Sequence, residues 1–399
     1  MRRPVAGDLS GAVADLGIFV PLVAALILVN GLQPGPLLLV AGLLSLLSGL
    51  WFRIPFPVQP LKALTALAVA QQLEPDVIHA AGLLIGLTLI VLTVTGLADR
   101  VARVFTQPVI RSLQLAVGVL LIVTAVRLAL TPPTLFVGSP PPSTSLGLML
   151  LTVGLVALAV WRRWYAAAGA LVAIGAVAAW AVSRPELGPV ALSVPVVGVP
   201  PMSVWGTAFV LLVIPQLPLT YGNAVVGMAA LAREQFPSAT RVRPGSVALS
   251  CGLGNVGAAL LGGMPMCHGS SGFTAHVRLG ARTAMMNVLL GGTFIVLGVV
   301  FSGQVLVLFG LLPVWALAGF LAYAGLRHAL LVLDLRGVPL IVAVIAAGAG
   351  IATGNLAVTT LIALAGAWLL PSRHAGTAPA GAGSVQSDLV GRLDDRADG

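Results

Sequence analysis

Lys62 is the only lysine in the 399-residue chain, and it stands in an apolar stretch just after Gln59-Pro60-Leu61. A cation at the bilayer centre costs about 2.5–3.5 kcal/mol on insertion scales, so a retained one implies an anion opposite it. Gln59 adds an uncharged amide that can donate hydrogen bonds. Far along the chain, Gly269-Ser270-Ser271-Gly272 brings two hydroxyls among small residues. Between them, in Pro215-Gln216-Leu217-Pro218-Leu219-Thr220-Tyr221-Gly222-Asn223, the residues Gln216, Thr220 and Asn223 recur at spacings of four and three and share one helix face. One ammonium with amides, hydroxyls and backbone N–H groups is chemistry for holding an oxyanion, not for breaking a bond. The competing structural explanations are a snorkelling lysine, a kinked packing contact and a polar stripe that glues helices together.

Asp15 is a different kind of group. It is an acid inside the first apolar run, seven residues after Asp8, and intramembrane carboxylates commonly carry protons. Its structural alternative is a pairing with a buried donor such as Lys62. No nucleophile–base pair can be assembled, so an enzyme is not expected. Cys251, Cys267, His268 and His276 match no metal-ligand spacing, so neither a metal site nor a cofactor is expected.

Two broken segments must position these groups. Pro55, Pro57 and Pro60 exclude a continuous helix, since each removes a donor and clashes with the preceding turn. The chain is therefore expected to enter as an extended strand and to start a short helix at Pro60, a residue suited to a first helical turn. Gly262-Gly263-Met264-Pro265-Met266-Cys267-His268-Gly269 repeats that pattern in the second half. Each short helix then begins near the midplane with unsatisfied N–H groups and a partial positive charge, and two such ends facing each other suit an anion.

The composition sets the class. Apolar residues make up 58% of the chain and charged residues 8%, against about 25% charged in soluble domains. This is the composition of an all-α integral membrane protein. Basic residues are scattered between apolar runs, which excludes a nucleic-acid surface. Fourteen segments are expected, near 11–30, 35–52, 60–72, 77–97, 108–130, 146–162 and 166–183, then 205–231, 246–263, 269–280, 283–302, 313–333, 338–353 and 355–371. The third of each seven is too short to cross about 30 Å of hydrocarbon. With both termini cytoplasmic, only Arg127 and Arg184 fall outside, as the positive-inside rule requires. An odd number per half inverts one half relative to the other, the mark of secondary transporters. The expected organisation is a first repeat at 1–183, an outer linker at 184–204, a second repeat at 205–371 and a disordered cytoplasmic tail at 372–399.

Asp8-Leu9-Ser10-Gly11-Ala12-Val13-Ala14-Asp15-Leu16-Gly17, Pro55-Phe56-Pro57-Val58-Gln59-Pro60-Leu61-Lys62 and Pro215-Gln216-Leu217-Pro218-Leu219-Thr220 resemble the molybdate transporter family, a branch of the sulfate permease superfamily. Met264-Pro265-Met266-Cys267-His268-Gly269-Ser270-Ser271-Gly272, followed by Gly280-Ala281-Arg282-Thr283, is similar to its other signature. The resemblance runs over about residues 8–371. It implies a seven-plus-seven inverted repeat in which a core of segments 1–4 and 8–11 moves against a gate of segments 5–7 and 12–14. It also implies molybdate, or a related tetrahedral oxyanion, as substrate in a cell membrane. The binding residues would be Gln59, Lys62, Gln216, Thr220, Asn223, Gly269, Ser270 and Ser271. Importing a dianion against the membrane potential calls for protons as the coupling ion, with Asp15 as a carrier. Sulfate and a nucleobase remain the alternative substrates, and a homodimer is left open.

Overall fold

The computed structural model describes residues 4–13, 16–97, 100, 106–132, 136, 140–161 and 197–369. Asp15, the expected segment at 166–183, most of the 184–204 linker and the tail at 372–399 lie outside the described residues. The elements run α1 Pro4–Val13, α2 Leu16–Leu28, α3 Pro34–Phe52, β1 Gln59–Pro60, α4 Lys62–Ala70, α5 Pro75–Val94, α6 Gln107–Leu130 and α7 Pro142–Trp161. The second half continues with α8 Met202–Gln235, α9 Pro244–Leu260, β2 Met266–Cys267, α10 Ser270–Arg278, α11 Met285–Val299, α12 Ser302–Gly310, α13 Val314–Ala329, α14 Val338–Thr353 and α15 Leu356–Leu369. Every expected segment within the described residues is a helix. The boundaries differ most at two places: the first segment starts as early as Pro4, and the segment expected at 283–302 bends by 103° into α12. Among the described residues, five helices are long and apolar enough to span a membrane, or six if that bent pair counts as one.

The most extensive packing joins helices from opposite halves, α3 with α11, α5 with α9 and α6 with α13. Each pair meets at glycines. A Cβ added at Gly42 would lie 2.6 Å from the carbonyl oxygen of Gly291, and one at Gly291 would lie 2.7 Å from that of Gly42. Gly86 and Gly252 repeat the reciprocal contact at 2.8 and 3.0 Å, and Gly118 and Gly325 at 2.5 and 2.6 Å. Small residues that let backbones touch are how helices associate in lipid, where apolar side chains gain nothing by leaving the tails.

The broken segments meet at the centre. β1 and β2 form an antiparallel pair with Gln59 opposite Cys267 and Pro60 opposite Met266. The helix therefore begins at Lys62, not at Pro60 as the sequence suggested, because the ladder claims Pro60. The proline sits harmlessly there: both backbone groups of its partner Met266 are taken by Asn255, whose Oδ1 accepts the Met266 N–H and whose Nδ2 donates to the Met266 carbonyl, each at 2.8 Å. The next ladder bond runs from Leu61 N–H to Pro265 O at 3.0 Å. Asn287 clamps the other extended stretch alike, accepting the Phe56 N–H at 2.8 Å and donating to the Phe56 carbonyl at 2.6 Å. Extended backbone inside a bilayer must find such partners within the protein.

Candidate functional site

α4 and α10 are nine residues each, about 13.5 Å of helix, and their N-termini face each other as expected. Lys62 Nζ donates to Ser271 Oγ at 2.6 Å, tying the first turn of α4 to that of α10. Gly269, the residue before α10, is the point of convergence: a Cβ there would lie 3.1 Å from Gln59 Oε1 and 3.8 Å from both Asn223 Nδ2 and Lys62 Nζ. A Cβ at Gly272 would collide with the Gln59 amide. α8 closes the group from the side. Its Gln216 Oε1 accepts the Leu64 N–H at 2.9 Å and its Nε2 donates to Thr220 Oγ1 at 2.9 Å, while Asn223 Oδ1 accepts from Ser270 Oγ at 2.5 Å. All eight binding residues named from the sequence thus lie together.

A small cavity of about 20 Å³, room for roughly one water molecule, adjoins them, lined by Lys62, Gln216, Thr220, Asn223 and Cys267 on one side and by Gln114, Val117 and His328 on the other. Gln59, Gly269, Ser270 and Ser271 do not line it. α8 winds as a π-helix over Phe209–Val213 and Thr220–Gly227, on either side of Pro215 and Pro218. Such bulges re-aim side chains and gather at functional sites.

Gln114 and His328 were not expected here. Gln114 is held by Arg111, whose Nη1 donates to Gln114 Oε1 at 2.7 Å. Arg111 in turn grips Asp334, with Nε at 2.8 Å and Nη2 at 2.5 Å from Oδ2. Arg111 is buried inside α6 and paired across to the turn after α13. The available signal was an acid and a base in apolar runs, one helical turn from an amide; their pairing across 223 positions was not legible. Asp8 is also committed: Oδ1 accepts the N–H groups of Arg282 and Thr283 at 2.7 and 3.0 Å, and Oδ2 accepts the Thr283 hydroxyl.

Two short helices whose first turns meet beside a polar cavity, inside a bundle of apolar helices, define a multi-pass membrane protein. The fold is similar to the transmembrane domain of a cyanobacterium bicarbonate transporter, BicA, with a TM-score of 0.61 and 18% identity, covering 92% of this chain and 98% of that one. It is likewise similar to the murine Slc26a9 anion transporter in its inward-facing state, with a TM-score of 0.63 and 14% identity over 92% and 68% of the two chains. Residues 7–121 and 208–327 match the family described as molybdate transporter of MFS superfamily. The chain is 29% identical to Molybdate transporter 2 of Arabidopsis thaliana over 381 residues, 84% of this chain and 81% of that protein. It is 30% identical to Molybdate transporter 1 of Chlamydomonas reinhardtii over 441 residues, 82% and 84% of the two. The chain belongs to the molybdate transporter family, a family of transporters and not of enzymes.

Proposed function

We propose that the protein imports molybdate across a cell membrane by alternating access, coupled to protons. One observation carries this: the amides and hydroxyls lining the cavity have their acceptors consumed by the protein. Gln114 must turn its carbonyl to Arg111, because a guanidinium only donates, which leaves its NH2 for the cavity. Asn223 gives its carbonyl to Ser270, Gln216 gives its own to Leu64, and Thr220 Oγ1 accepts from Gln216. With Lys62 these groups offer N–H and O–H to a ligand, which suits an oxyanion and opposes a cation. The curated relatives are named for molybdate, which selects it among tetrahedral oxyanions.

The reading extends to the whole chain as a seven-plus-seven inverted repeat with both termini cytoplasmic, the halves being 1–183 and 205–371. The reciprocal glycine contacts support it, since a two-fold axis between halves makes each contact occur twice. Asp15 is assigned one coupling proton, because Asp8, the other acid of that segment, is occupied by backbone donors. Purified protein in liposomes should accumulate labelled molybdate, with tungstate competing well and sulfate and phosphate poorly. No uptake, or displacement by sulfate at equal concentration, overturns the proposal.

A further inference from the structure

We propose that His328 is a proton-coupling residue of the anion cavity, protonated when the oxyanion binds and neutral when it leaves. The inference rests on the cavity being the oxyanion site. His328 lines that cavity from α13, opposite Lys62. Its Nδ1 lies 3.2 Å from the carbonyl oxygen of Ala324, which can only accept, so Nδ1 carries a hydrogen. Nε2 of the neutral ring is therefore a lone-pair acceptor. Beside it the amides and hydroxyls of the lining offer donors, so a neutral His328 is the wrong neighbour for a dianion. Protonation converts Nε2 into a charge-assisted donor, the stronger kind of hydrogen bond to an oxyanion.

The charges around the ring supply the switch. Lys62 faces it from α4, Arg327 precedes it on α13, and Arg111 approaches from α6 with its charge matched by Asp334. A dianion reverses the sign of the local field and draws a proton from bulk water onto Nε2. By linkage, each of the two ligands raises affinity for the other by the same factor. While one proton is taken up per anion bound, affinity falls by about tenfold for each unit rise in pH.

The test is titration calorimetry of the purified full chain with molybdate, in buffers of different ionisation enthalpy, near neutral pH. His328→Gln should bind molybdate while taking up about one proton fewer than the native protein, with a flatter dependence of affinity on pH. Histidine nitrogen NMR of the native protein, with and without molybdate, reads the same event without a substitution and serves if the variant does not fold. Molybdate should shift the His328 ring from neutral to imidazolium. Equal proton uptake by native protein and variant, or a ring that stays neutral in the complex, overturns the inference. A Lys62→Met control separates it from the underlying reading: unchanged molybdate affinity there would instead remove the cavity as the anion site.

Discussion

Lys62 is buried at the start of a helix, where the local dipole already disfavours a cation. It donates a hydrogen bond to Ser271 Oγ. Lys62→Met is expected to raise the molybdate dissociation constant at least about tenfold, the loss of one charge-assisted bond of roughly 1.5–3 kcal/mol. Melting temperature measured on the same preparation should hold or rise. Gln114→Glu makes a sharper test. The carboxylate still accepts from Arg111, so the Arg111–Asp334 pair survives, but its second oxygen replaces a donor with a negative charge. Molybdate binding should weaken by more than about tenfold, with thermal stability kept, since like charges at close range in a partly buried site repel by several kcal/mol. Unchanged binding would make Gln114 a bridge for Arg111 and nothing more. Lys62, Gln59 and the Gln216 stripe were legible because polar residues beside prolines in apolar runs demand an explanation. Gln114 and His328 were not, because a lone polar residue in a long helix looks the same whether it faces lipid, a neighbour or a cavity.

At the scale of elements, prolines announced the extended stretches and the shortness of α4 and α10, but not the pairing of β1 with β2. That pairing depends on residues 206 positions apart at Pro60 and Met266, and no local pattern specifies the register. The clamps were equally hidden. Asn255 and Asn287 lie in helices whose other residues are mostly apolar or small, yet each serves backbone groups of an extended segment. Asn255→Leu would leave the N–H and C=O of Met266 unsatisfied, at about 1–3 kcal/mol for each buried group. The melting temperature should fall clearly, and the native peak on size exclusion should shrink. Asn255→Asp keeps the acceptor for the N–H and should fall less. Equal stability of native and Leu variants would mean that Met266 finds other partners. The same logic explains Gln216, which holds the Leu64 N–H at the first turn of α4 as well as lining the cavity, so its substitution should lower both stability and affinity.

For the whole molecule, the decisive quantity is the charge carried per cycle. The cavity is bounded by α4 and α8 on one side and by α6 and α13 on the other, so in the proposed alternating access sliding one set past the other would expose it to alternate faces. Lys62 stays with the protein in both directions and adds nothing to the net movement. A dianion carried alone against about 100 mV, inside negative, would be opposed by roughly 4.6 kcal/mol, on the order of a thousandfold in accumulation. Two protons, assigned to Asp15 and His328, cancel that opposition. Uptake into liposomes clamped with valinomycin and potassium should therefore begin at the same rate whichever sign of potential is imposed, whereas an acid exterior should drive accumulation. Acceleration by an inside-positive potential at fixed pH would show that net negative charge crosses, and the two-proton scheme would fail. The His328→Gln variant supplies the internal control. With one proton fewer its loaded form carries one net negative charge, so it should gain the voltage dependence that the native protein lacks.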